Sequence, residues 1–120
     1  MADKKLKIEK LAAKSKWKHI APFLQDKDVE VRIAALEAIA PSEDPQYAQV
    51  AAFNLNDTDP RVRIAAANCL AHIGSNREIE SIRMKMANET DEAVKTAYHD
   101  CLRDAKGGKR EKTVYNPDKY

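Results

Sequence analysis

Two cysteines, Cys69 and Cys101, and three histidines, His19, His72 and His99, are the residues best equipped for nucleophilic or metal chemistry in this 120-residue chain. Tyr98-His99-Asp100-Cys101 even sets a base, an acid and a nucleophile in a row. Consecutive residues of a helix point in different directions, however, so a row does not make a catalytic pair. No histidine stands at helical metal-binding spacing from another, and no Cys-x-x-Cys accompanies them. A phosphate-cradling glycine loop and an EF-hand pattern are both missing. The sequence therefore assigns no catalytic residue, no metal ligand and no cofactor, and the chain reads as a protein that is not an enzyme.

The two cysteines stand 32 residues apart, and that distance leads to the pattern that organises the chain. The segments "DVEVRIAALEAIA", "DPRVRIAAANCLAHIG" and "DEAVKTAYHDCLRDA" begin at Asp28, Asp59 and Asp91, steps of 31 and 32 residues. Their columns read Val31, Val62, Val94; Arg32, Arg63, Lys95; Ala34, Ala65, Ala97; and Ile39, Leu70, Leu102. Three copies at a nearly constant period are the signature of a stacked-repeat protein. Cys69 and Cys101 share a column that holds Ala38 in the first copy. Equivalent positions on stacked helices lie about 8–10 Å apart, beyond the ~7 Å between Cα atoms that a disulfide allows. Both are read as small buried core residues.

Each copy reads as a helix. The aspartate is an N-cap that accepts from free backbone N–H groups and opposes the positive end of the dipole. Pro60 suits the first helical position, where no N–H is needed. Val62, Ala65, Ala66, Cys69, Leu70 and Ile73 draw one apolar stripe at three- and four-residue steps, and Gly74 supplies a left-handed stop. A less regular helix precedes each copy: "SKWKHIAPFLQ", bent at Pro22; "DPQYAQVAAFNL", capped at Asp44; and "SNREIESIRMKMAN", with Ser75 and Glu78 at capping-box spacing. A lysine-rich amphipathic helix over 4–13, using Leu6 and Leu11, comes before everything. Such pairs cannot bury their apolar faces alone, so they stack.

"LQDKDVEVRIAALEAIA" and "LNDTDPRVRIAAANCLAHIG" resemble HEAT repeats, particularly the short HEAT-like type of phycobilisome lyases. The likeness rests on a leucine, an aspartate, a second aspartate two residues on, then Val-Arg and paired alanines. It covers about residues 15–105, and the third copy departs with Glu89, Lys95 and Tyr98 in place of Asp, Arg and Ala. It implies an all-α solenoid, a right-handed superhelix of about three helical pairs with an amino-terminal cap helix. It also implies a hydrogen-bonded ladder between neighbouring repeats, with turn acids Asp26, Asp57 and Glu89 and helix cations Arg32, Arg63 and Lys95. In this type of solenoid the second helices line the concave surface.

The stripe opposite the core on those helices is Glu30, Ile33, Glu37 and Ala40, then Arg61, Ile64, Asn68 and Ala71, then Ala93, Thr96, Asp100 and Arg103. A nucleic-acid groove should present a row of Lys and Arg to phosphates, and this stripe does not. A mixed strip with two isoleucines near solvent suits a protein or peptide partner. Glu30, Ile33, Glu37, Arg61, Ile64 and Asn68 are therefore the expected contact residues, and an interaction module or adaptor the expected function. Two alternatives stand beside it. One is a nucleic-acid-associated protein working through basic termini; the other, implied by the resemblance alone, is a lyase-like accessory handling a cofactor or a modified protein.

Net charge is +2, which by itself points to no nucleic-acid partner, but residues 1–25 hold seven lysines against two acids. Trp17, set among Lys14, Lys16 and Lys18, is read as packing the amino-terminal cap onto the first repeat; an aromatic anchor for a phosphate-bearing partner is the alternative. The expected organisation is a solenoid domain over 1–106, with repeats at about 15–40, 42–74 and 75–105, and a flexible basic tail over 107–120. No signal peptide or membrane span is visible, so the expectation is a cytoplasmic monomer.

Overall fold

The computed structural model describes residues 2–74 and 76–104, and among them helices are the only regular structure. In order they are α1 (Ala2–Ala13), α2 (Trp17–Ile20), α3 (Val29–Ile39), α4 (Ala48–Phe53), α5 (Pro60–Ile73), α6 (Asn76–Met86) and α7 (Glu92–Asp104). Short 3-10 turns occupy Ala21–Gln25, Ala40–Ser42, Pro45–Tyr47 and Asn54–Asn56. The fold is all-α, a small solenoid of repeated helical pairs. The second helices form one layer in which α5 packs between α3 and α7. In the other layer α4 touches both the Ala21–Gln25 turn and α6, while α1 lies against α3 and α2.

The capping aspartates explain why the second helices start in register. Asp28 accepts from the Glu30 N–H and Asp59 from the Arg61 N–H, each at 2.8 Å. Asp91 accepts from the Val94 N–H at 3.1 Å. All three satisfy donors that a helix start leaves free. Pro60 is the first residue of α5, and Gly74 ends it at φ 74°, a left-handed conformation that costs glycine little.

The first helices are broken more than the sequence suggests. Proline lacks the N–H that a helix interior requires. Accordingly α2 ends at Ile20, and a 3-10 turn around Pro22 carries the chain to Gln25. Pro45 likewise opens a 3-10 turn, capped by Asp44 at the Gln46 N–H, and α4 proper is only six residues long. The expected capping residue Ser75 and the tail over 107–120 lie outside the described residues.

The core follows the repeat columns. Val31, Val62 and Val94 are fully buried, as are Ala35, Ala66 and Tyr98 in the next column. Every residue of the expected α5 stripe is buried: Val62, Ala65, Ala66, Cys69, Leu70 and Ile73. Trp17 is partly buried against this core. One expectation fails on α1, where Leu6 is half exposed and Ile8 takes the buried position. Leu6 and Leu11 are five positions apart and cannot share a helical face. Ile8, Leu11 and Ala12, at steps of three and four, can.

Candidate functional site

The turns before the second helices carry a chain of ion pairs that crosses every repeat boundary. Arg32 donates from Nη1 to its own turn's Asp26 carbonyl at 2.8 Å, and its Nε lies 2.9 Å from Asp57 Oδ2 in the next turn. Arg63 repeats the arrangement one step on. Its Nη1 donates to the Asp57 carbonyl at 2.8 Å, while Nε and Nη2 reach Glu89 at 3.1 and 2.9 Å. The planar guanidinium suits this two-sided grip, since one edge can hold a carbonyl and another a carboxylate. Each turn acid also accepts from the backbone two residues on: Asp26 from Asp28, Asp57 from Asp59 and Glu89 from Asp91.

Lys95 takes no place in this ladder. It pairs with Glu92 on its own helix at 3.3 Å, near solvent, because no further turn among the described residues offers it an acid. The ladder's other end is closed by a residue the sequence pattern did not single out. Lys4 of α1 donates to Asp26 Oδ1 at 2.9 Å and so takes the position an arginine of a preceding repeat would fill.

These contacts set the acids' proton affinities. The Lys4 ammonium and the Asp28 N–H hold the Asp26 carboxyl below the ordinary aspartate value. Burial pushes Glu89 up, but the Asp91 N–H and the Arg63 guanidinium outweigh it and leave the pKa lowered. Both acids are thus held as carboxylates, the form the ladder needs.

On the face of α3 and α5 away from the core, Glu30, Glu37, Arg61 and Asn68 are exposed. Arg61 bridges the two helices, donating to Glu30 at 2.8 Å while also holding Asp59 at 3.0 Å. Ile33 and Ile64 are not free surface residues: both are partly buried and pack against the core. Ala40, expected on the same stripe, is buried because the chain turns there into the 3-10 segment that packs on α5. Beyond Glu37 and Asn68 the face opens into a groove of about 180 Å³ lined by Leu36, Glu37, Pro41, Ala65, Asn68 and His72, among others. His72 Nδ1 donates to the Asn68 carbonyl at 2.9 Å and thereby fixes the ring at the groove's edge. On α7 the stripe carries Ala93 and Thr96 and no large apolar residue.

The residues with chemical potential are kept apart. Cys69 and Cys101 are free and buried, and burial pushes the Cys69 thiol up to about 12, so the reactive thiolate is scarce at neutral pH. His99 is exposed while Cys101 faces the core. Among the described residues no group of three or more His, Cys, Asp or Glu could hold a metal ion. No helix among them is long and apolar enough to cross a membrane.

A second set of inter-repeat contacts went unnoticed in the sequence. Asn54 is buried in the first-helix layer, donating to the Leu24 carbonyl at 3.0 Å and accepting from Gln25 at 2.9 Å. Lys85 donates to Asn56 across the next boundary at 2.6 Å. The available signal was weak: asparagine near a helix end reads as an ordinary turn residue.

The model of the family described as HEAT repeats matches residues 18–103, and the chain belongs to that family. Neither the comparison with curated proteins nor that with solved structures gave a match.

Proposed function

We propose that this HEAT-repeat chain is a small, non-catalytic interaction module or adaptor, a cytoplasmic monomer. Its partner is a protein or peptide held along the stripe of α3 and α5, with Glu30, Ile33, Glu37, Arg61, Ile64 and Asn68 making the contacts. The observation that carries this reading is the groove beside Glu37 and Asn68. Its walls are largely apolar, its rim is polar with Glu37, Asn68 and His72, and it sits on helices whose register is fixed by the ladder. Rigid helices bearing a shallow apolar trough with polar edges suit an apolar side chain of a partner, with the edges setting its orientation. Ile33 and Ile64 are partly buried, one turn before Glu37 and Asn68 on their helices.

A nucleic-acid partner is not favoured on this face, because its only exposed cation at these positions, Arg61, already pairs with Glu30 and Asp59. The narrower likeness to phycobilisome lyases rests on the repeat pattern alone and adds no residue to this reading. A photo-crosslinking amino acid placed at Glu37 or Asn68 tests it, with the same probe at Met84 of α6 as comparison. Irradiation in cells of the source organism should give a discrete protein adduct from the first two positions and none from the third. Equal adducts from both layers, or adducts to nucleic acid, would sink the proposal.

A further inference from the structure

A second surface cleft lies elsewhere, at the amino-terminal end. It measures about 430 Å³ and is lined by Lys7, Leu11, Lys16, His19, Pro22 and Phe23. Local geometry puts these residues together. Lys7 and Leu11 are four positions apart and share a face of α1. After α1 the chain doubles back through Ser15 at φ 55°, and the Lys16 N–H donates to the Leu11 carbonyl at 2.9 Å. This tight return holds Lys16 and His19 across from Lys7, with Pro22 and Phe23 completing the floor.

The positive charge around the cleft has no ion-pair partner among the described residues. Lys7, Lys16 and His19 are exposed, and none forms an ion pair among the described residues, whereas Lys4 on the same helix is engaged by Asp26. No acidic side chain is among the lining residues. Two lysines and a histidine around an apolar floor that folding leaves open form a receptor for negative charge attached to an apolar body.

We propose that this cleft is a second binding site, for a peptide segment carrying carboxylates beside large apolar side chains. One feature favours that class over nucleic acid. Single-stranded nucleic acid is held by stacking on free aromatic faces, but Trp17 does not line the cleft and Phe23 is partly buried against the core. Point charges over an apolar floor match a carboxylate-bearing segment whose leucine or phenylalanine side chains enter the cleft. The site lies on the opposite side of α3 from α5 and does not depend on the groove beside Glu37.

The test is fluorescence polarisation of the full chain with a short fluorescein-labelled peptide of alternating Asp-Asp and Leu-Phe pairs. The same peptide with Asn for every Asp and a labelled oligo-dT serve as comparators. The acidic peptide should bind the unaltered protein, the Asn version should not, and oligo-dT should bind more weakly. Replacing both Lys7→Glu and Lys16→Glu should weaken the acidic peptide by about tenfold or more, since both cations are reversed at close range. The pair Lys5→Glu and Lys18→Glu changes net charge equally, but neither residue lines the cleft; it should stay within about twofold. The peptide comparison on the unaltered protein keeps the test independent of how the variants fold. Equal weakening by the two pairs would show a diffuse charge effect and overturn the site. Indifference to Asn for Asp, or preference for oligo-dT, would overturn it as well.

Discussion

The boundary between the first and second repeats and the boundary between the second and third solve one packing problem differently. At the first, two alanines, Ala35 and Ala66, occupy equivalent core positions, the bridging acid is Asp57, and Asn54 pins the first-helix layer to Leu24 and Gln25. At the second, the alanine column ends in Tyr98, fully buried, and the bridging acid is Glu89. A ring fills far more volume than a methyl group, and a glutamate reaches one methylene farther than an aspartate. The longer acid thus accompanies the larger core residue, and the arginine between them keeps its geometry. Tyr98 also sits close enough to the pair to feel it: burial first and then the Glu89 charge push its hydroxyl up to about 12. The comparison teaches that a repeat boundary is conserved as a reach between backbone turns, which different residue pairs can span.

The strongest way to break this comparison is Tyr98→Ala, which restores the column but leaves Glu89 in place. It should cost about 3–5 kcal/mol, the range for removing a buried aromatic ring, read by urea unfolding followed by circular dichroism. Tyr98→Phe should retain most of that stability, and an unchanged midpoint for the alanine variant would mean the ring does not carry the core at this boundary. Next comes the ladder. Arg63→Ala strands Glu89 and the Asp57 carbonyl in a shielded place and should cost roughly 1–3 kcal/mol. Arg32→Ala should cost somewhat less, because its second contact to Asp57 is longer at 3.4 Å. Lys95→Ala, whose partner is near solvent, should cost least of the three. Equal melting temperatures across the series would reject the ladder as a stabilising device.

A smaller effect acts through pH, at the second boundary and at the amino-terminal end of the ladder. Glu89 and Asp26 have folded-state pKa values below their ordinary 4.5 and 3.8. The unfolded chain therefore takes up protons at these sites before the folded chain does. Their stabilising contribution is complete above the ordinary values and is lost as pH falls through the depressed ones. Melting temperature should drop below about pH 4.5, and the Glu89 part of that drop should shrink in Arg63→Ala. A variant with the same acid profile as the unaltered protein would show that Arg63 does not govern Glu89.

Much of the second-helix layer was legible because burial there is periodic. Val31, Val62 and Val94 mark the core by spacing alone, and an aspartate before each marks the helix start by capping chemistry. The phase of α1 was not legible from its leucines, since that helix is aligned by Lys4 reaching Asp26 in another segment, and this alignment turns Ile8 inward. Nor was Asn54, whose burial depends on a carbonyl left free where the Ala21–Gln25 turn ends. The depth of Ile33 and Ile64 escaped for a related reason: a helix flanked on both sides by equivalent helices, as α5 is, hides more of its circumference than a lone amphipathic helix would. Side chains fixed by their own helix could be read one at a time. Those fixed by a neighbouring repeat could not.

The ladder also has a polarity. Every cation in it reaches toward the carboxyl-terminal neighbour, and every acid receives from the amino-terminal side. Lifting α7 and its turn away leaves Arg63 without Glu89, yet still bonded to the Asp57 carbonyl and the Thr58 carbonyl at 3.2 Å. Lifting α1 away leaves Asp26 with a single backbone donor and without its ion-pair partner Lys4. Peeling from the two ends is therefore not equivalent, and a stack with no chemical distinction between its ends in helix content acquires a preferred direction of opening.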